Sequence, residues 1–265
     1  MDPRFTALAV SAFLNIAIPV ALVIIIRQRF NVSWKVILYG ALVFLVFQVI
    51  ARIPAMAILQ SEAREWMNAT NTNFVLFMLF AAVTAGLLEE CGRWIGYRYW
   101  IPEHRRWQDG VGFGAGHGGF EAAFLIGSIQ LLSLATLYIL LYVDYHTLFP
   151  QVAEQLDTAK DTFLQVDWYT YLWSVFERAC AIVIQISLSL IVLTAFVKGS
   201  IRYLFLAIGY HTIVDLTPLV LHFSKSYFIT EMAVLILALF SAKIIKNQIS
   251  SIQSELQDHD NVPII

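Results

Sequence analysis

Residues 81–99, AAVTAGLLEECGRWIGYRY, place two adjacent carboxylates, Glu89 and Glu90, and the guanidinium of Arg93 inside a stretch otherwise apolar enough to cross a bilayer. A charge at mid-membrane costs roughly 2.5–3.5 kcal/mol on insertion scales, so such residues mark a functional site when partners exist elsewhere in the chain. Two further apolar segments supply partners. His117-Gly-Gly-Phe-Glu121 and His211-Thr-Ile-Val-Asp215 each set an imidazole and a carboxylate at i, i+4 on one helical face.

With 59% hydrophobic and 14% charged residues, the 265-residue chain is not an ordinary soluble domain, in which about a quarter of residues would be charged. A net charge of -2 and the lack of a basic run exclude nucleic acid as a partner and leave the lipid bilayer as the principal one. Cys91 and Cys180 fall in apolar segments and read as buried thiols rather than a disulfide. The run from Arg4 to Ile26 is too long for a signal-peptide core and reads as a first span.

A helix needs about 20 apolar residues to cross the hydrocarbon core, and seven segments qualify, at 5–26, 35–59, 73–97, 111–143, 169–197, 201–222 and 227–245. The expected fold is therefore all-α and polytopic: a seven-helix transmembrane domain over 1–246 and a polar tail over 247–265, disordered or frayed. Arg27, Arg29, Lys35, Arg98, Arg105, Arg106, Lys198, Arg202, Lys243 and Lys246 collect in alternate connections, which puts the N-terminus outside and the C-terminus in the cytosol. The long acidic connection 144–168 predicts a short amphipathic helix after Pro150 lying over the outer mouth. No internal repeat is evident.

Helical rise sets Glu90 roughly 12 Å, His117 roughly 10 Å, and Glu121 and His211 roughly 15 Å from the cytosolic ends of their spans, a common depth that favours one shared, cytosol-facing cavity. Gly110-Val-Gly-Phe-Gly-Ala-Gly-His-Gly-Gly119 adds six glycines in ten residues, which lets backbones approach closely or leaves room for a substrate. No strand precedes it, so a dinucleotide fingerprint is rejected.

Two imidazoles with two or three carboxylates in a water-poor cavity suit either a zinc-type site or a metal-free general-base site; both would hydrolyse a peptide bond. In the metal version His117, Glu121 and His211 bind Zn2+ and a carboxylate of the Glu89–Glu90 pair is the base. In the metal-free version Glu89 and His117 orient water, and His211 and Asp215 stabilise the oxyanion or its proton donor. The structural alternative reads Glu89 and Arg93 as a helix-knitting ion pair and His211 as an interhelical hydrogen bond. Glu177 and Gln185 form a second polar cluster in the fifth span, with Gln185 about 20 Å from the cytosolic end.

With these residues identified, the chain resembles the YhfC-like membrane peptidases of bacteria and archaea, relatives of the glutamate-type CAAX prenyl endopeptidases and of the gamma-secretase scaffold subunit. Glu89-Glu90-x-x-Arg93 is similar to the EExxR motif, Gly116-His117-Gly-Gly-Phe-Glu121 to the second motif and His211-x-x-x-Asp215 to the third. The resemblance implies proteolysis of a membrane-embedded or prenylated substrate in the cytoplasmic (plasma) membrane of a prokaryote. Gln185 stands where that pattern tends to carry a histidine, which leaves open an impaired enzyme, a different ligand set or an inactive variant. The competing functions are a non-catalytic scaffold gripping partner helices and, with less support, an ion transporter.

Overall fold

Thr170–Val197 is the helix around which the others assemble, because it is apolar on every face and nearly every side chain from Ile182 to Ala195 is buried. The computed structural model describes residues 2–260. In our numbering the helices are α1 (Pro3–Phe30), α2 (Trp34–Glu62), α3 (Asn71–Trp100), α4 (Trp107–Tyr142), α5 (Ala153–Gln165), α6 (Thr170–Val197), α7 (Arg202–Ser224) and α8 (Tyr227–Asp260). Seven of them, all but α5, are long and apolar enough to cross a membrane, and each covers one of the expected spans. The core helix α6 packs chiefly on α4 and α8, with α1 and α7 beside it; α2 packs on α4, and α7 on α3.

Local chemistry sets the helix starts. The Asp2 carboxylate accepts from the Arg4 N–H at 2.7 Å with Pro3 in the first turn, the Ser33 hydroxyl accepts from the Lys35 N–H at 3.2 Å, and Thr70 accepts from the Asn73 N–H at 3.1 Å. α1 ends on Asn31 in the left-handed conformation, φ 50°. Three spans contain π-helical segments, at Phe44–Arg52, Gly96–Trp100 and Glu121–Ile126. α7 breaks after Val214 and restarts at Thr217, with Pro218 in its second half.

The glycine run of α4 serves two contacts at once. Gly110, Gly114 and Gly118 recur every four residues on one face, where an added Cβ would meet α6 at Leu190, Ile186 and Gln185. Gly112 and Gly116, two residues out of phase and so on the opposite face, meet Val32 and the backbone of Ile37. Gly40 of α2 answers from the other side: a Cβ there would lie 2.1 Å from the Phe113 carbonyl oxygen, as one on Gly116 would lie 2.1 Å from that of Ile37. Backbone contact of this kind is how membrane helices associate without a hydrophobic difference from lipid.

Two expectations about the ends change. The tail beyond 246 is neither disordered nor frayed as far as Asp260: α8 runs on through it, Ile252 is buried, and the Gln248 side-chain oxygen accepts from the Thr194 hydroxyl at 2.7 Å. An apolar residue and a hydrogen-bonding amide on the face toward α6 override its low hydropathy; residues 261–265 lie outside the described part. The connection 143–169 does form the amphipathic helix, α5, but it packs on α4, and the Arg4 guanidinium at the start of α1 donates to the Leu164 and Val166 carbonyls at its far end, at 2.8 and 2.9 Å. Asp157 of α5 accepts from the Tyr145 hydroxyl at 2.6 Å, which holds the carboxylate below its usual range and pushes the phenol up to about 12.

The α2–α4 contact predicts opposite signs for two glycine substitutions. Gly40→Ala or Gly116→Ala should lower stability by about 1–3 kcal/mol through overpacking, whereas Gly209→Ala in α7, where nothing lies within 4 Å, should raise it by up to about 1 kcal/mol. Thermal unfolding of the purified variants in one detergent measures both.

Candidate functional site

Glu89, Glu90 and Arg93 share one turn-and-a-bit of α3 and face inward, all three buried. Arg93 is the hub. Its Nη2 lies 3.6 Å from Glu89 Oε2 and its Nε 3.3 Å from Glu90 Oε1, while Nη1 donates to the Ser189 hydroxyl at 2.7 Å and the Gln185 carbonyl at 3.1 Å. Nη2 also donates to the Gln185 side-chain oxygen.

Both histidines close on the two carboxylates. His117, buried and edge-on to Phe44 at 5.2 Å, sets Nε2 2.9 Å from Glu89 Oε2. His211 sets Nδ1 2.6 Å from Glu90 Oε1, a contact in which the ring N–H donates to the carboxylate, and its Nε2 lies 3.9 Å from Glu89 Oε2 and 3.7 Å from Asp215 Oδ1. Five sequence-predicted residues, Glu89, Glu90, His117, His211 and Asp215, therefore form one cluster, with Arg93 as its counter-charge.

Glu121 stands apart, in a second cluster with Gln185, Arg178 and Glu177. One of its oxygens accepts from Arg178 at 2.6 Å and the other from the Gln185 amide at 2.9 Å, and Arg178 also donates to Glu177. Gln185 thus bridges the clusters, accepting from Arg93 and donating to Glu121. Polar groups not singled out from sequence include Glu231 of α8, which is buried, and Arg52 of α2, which is half-buried and whose guanidinium borders the cavity described next. A lone arginine in an apolar span was a readable signal for Arg52.

Between the clusters lies a cavity of about 290 Å³, bordered by Arg52, Ala81, Glu121, Gln185, His211 and Asp215. On every helix that borders it, the lining runs from the level of His211 and Gln185 toward the end nearest the chain's N-terminal face: Met78 on α3, Glu177 on α6, Pro218 on α7, Val234 on α8. The other end is closed. Tyr97 and Phe113, both fully buried, stack at 4.6 Å, and the Arg105 guanidinium covers Phe196 beside them at 4.8 Å while donating to the Tyr97 carbonyl at 3.0 Å. A cavity facing the arginine-rich connections, as the depth argument suggested, is not what forms: bulky aromatics fill the short path on that side.

Among the described residues, no group of three or more His, Cys, Asp or Glu side chains is already arranged around one ion position. The donor chemistry nevertheless fits a divalent transition metal. Two imidazoles flank Glu89 Oε2 at 2.9 and 3.9 Å, and ligand atoms around tetrahedral zinc, with bonds of about 2.0–2.2 Å, lie about 3.3–3.6 Å apart. The Glu90–His211 hydrogen bond is the kind of outer contact that orients a metal-binding imidazole; Glu121, with both oxygens engaged by Arg178 and Gln185, is less available.

The chain is 29% identical over 221 residues, 81% of its own length and 83% of the relative's, to the "Uncharacterized membrane protein YhfC" of Bacillus subtilis (strain 168). No solved structure matches. The family described as YhfC intramembrane metalloprotease matches residues 14–238, which contain every residue of both clusters, and the chain belongs to that family.

Proposed function

We propose that the protein is an intramembrane peptidase that hydrolyses a peptide bond of a membrane-embedded or lipid-linked substrate, with water activated at Glu89. The observation that supports this most is the single buried Glu89 oxygen with two imidazole Nε2 atoms 2.9 and 3.9 Å away, the second of them on His211, which lines the polar cavity. Such a carboxylate accepts a proton from water as it attacks the carbonyl and returns it to the leaving amine. His117 fixes the carboxylate, Glu90 fixes the His211 ring, and the buried Arg93 charge holds both carboxylates in place. His211 and Asp215, on the cavity side, stabilise the oxyanion or its proton donor. A divalent metal such as Zn2+, held by His117 and His211 with Asp215 as the nearest further oxygen, would when bound polarise the carbonyl and make its water more acidic.

On this reading Glu89→Gln and His117→Ala should each lower cleavage of a reporter transmembrane segment by about 10²–10⁴-fold, with the melting temperature in detergent showing that the variants stay folded. Unchanged cleavage in both would sink the assignment. Metal analysis of the purified protein and of His211→Ala should show about one equivalent of zinc lost with the imidazole.

The cavity also supports one side of entry. The positive-inside count argues for an extracytoplasmic N-terminal face, and on that orientation water and substrate should arrive from outside. In a variant lacking Cys91 and Cys180, Met78→Cys should react with an impermeant maleimide added to intact cells, and Arg98→Cys only in inverted vesicles. The reverse pattern would reject outside entry.

A further inference from the structure

The charges around the cavity pair off with one left over. Glu121 and Glu177 both meet Arg178, and Asp215 faces His211 Nε2 at 3.7 Å. Arg52 also borders the cavity, yet among the described residues no carboxylate lies within 4.0 Å of it. Its partners are neutral: Nη2 donates to the Ala81 carbonyl at 2.6 Å, Nη1 to the Gln48 side-chain oxygen at 3.2 Å, and Nε points at the Thr84 hydroxyl at 3.5 Å. A guanidinium has five N–H donors, so one on each terminal nitrogen is left over. Arginines at this depth face a bundle interior or a water-filled cavity and mark what passes there.

The position is built. Arg52 ends the π-helical segment Phe44–Arg52, two residues before Pro54, whose missing N–H breaks the regular α ladder. Its hydrogen bonds to α3 hold the head group at the level of Ala81. Ala81 precedes Glu89 by eight residues, about 12 Å of helical rise. An extended peptide covers that distance in about three to four residues.

We propose that Arg52 is a substrate-anchoring residue that binds a carboxylate of the peptide, carried about three to four residues from the bond presented to Glu89. The carboxylate is either the substrate's C-terminus or an Asp or Glu side chain. Its position relative to the scissile bond rests on the peptidase reading; the binding itself does not. An anionic group at this point matches the one unpaired cation of the cavity and forms the two-pronged contact that guanidinium makes with carboxylates.

Binding of fluorescent apolar peptides to the Glu89→Gln protein in nanodiscs, read by anisotropy, tests this without turnover. Three peptides share one sequence: a free C-terminal acid, its amide, and the amide with an internal Asp at the fourth residue from the end. The acid or the Asp peptide should bind at least about tenfold more tightly than the plain amide, and which of the two does so identifies the source of the carboxylate. Adding Arg52→Gln should bring the preferred peptide down to the amide's affinity and leave the amide unchanged, while Arg52→Lys should keep part of the preference. Equal affinities for all three peptides, equal loss for all three in Arg52→Gln, or no binding of any would overturn the proposal. Dodecyl phosphate displacing the preferred peptide more effectively than dodecanoate would overturn it in favour of a phosphate-bearing lipid. Preference abolished by Arg52→Gln, together with no cleavage by the unmutated enzyme, would leave the anchor standing and reject the peptidase reading alone.

Discussion

Arg93 makes it possible to bury Glu89 and Glu90 next to each other. Two carboxylates on consecutive residues of a membrane helix repel each other and lose their hydration, and one guanidinium at i+3 from one and i+4 from the other answers both from within the same turn. The arginine in turn needs its remaining donors satisfied, and α6 supplies Ser189 and both oxygens of Gln185. A buried ion cluster contributes little net stability when complete, but removing one member leaves an uncompensated charge that costs about 3–5 kcal/mol. The cluster therefore fixes how α3 sits on α6, and with it the directions from which α4 and α7 bring their histidines.

The glycines and the π-helical segments act on the same geometry from outside the cluster. Close approach of α4 to α2 and α6 brings His117 near enough to touch Glu89, and a single side chain at Gly116 or Gly114 would push it away. A π segment adds a residue to a turn and so rotates everything after it, which is why such segments recur at functional positions. In α4 the segment begins at Glu121, four residues after His117, and Glu121 faces Arg178 and Gln185 instead of the imidazoles.

The different partners of His117 and Glu121 mark the limit of what the sequence discloses. Hydropathy located all seven spans, because bilayer thickness sets a length that composition alone reveals. Helical periodicity and depth brought Glu89, Glu90, His117 and His211 together, since rise per residue is nearly constant. Periodicity could not foresee that the i, i+4 pair His117 and Glu121 would part, the imidazole meeting Glu89 and the carboxylate meeting Arg178 and Gln185. Nor could depth show which end of the cavity is open, because that depends on the sizes of Tyr97, Phe113 and Phe196 meeting from three different helices. The tail was misjudged for a related reason: Ile252 and Gln248 are informative only once α6 is known to lie beside them.

Gln185 shows how the two polar clusters can be one device. Its side-chain oxygen accepts from Arg93 and its nitrogen donates to Glu121, so it joins the buried Glu/His cluster to the cavity-lining one through a single amide. A neutral histidine can also accept on one ring nitrogen and donate on the other, which makes glutamine a chemically sufficient replacement for hydrogen bonding. It differs in one respect, because an amide, unlike an imidazole, does not change protonation state near neutral pH. If the position only ties Arg93 to Glu121, glutamine preserves the site; if it must shuttle a proton, glutamine blocks it. Arg178 already occupies the other Glu121 oxygen as a permanent cation, and Arg93 is a permanent cation on the near side, so a proton at position 185 would sit between two positive charges. That electrostatic setting favours the tie over the shuttle, and with it a site that glutamine leaves intact.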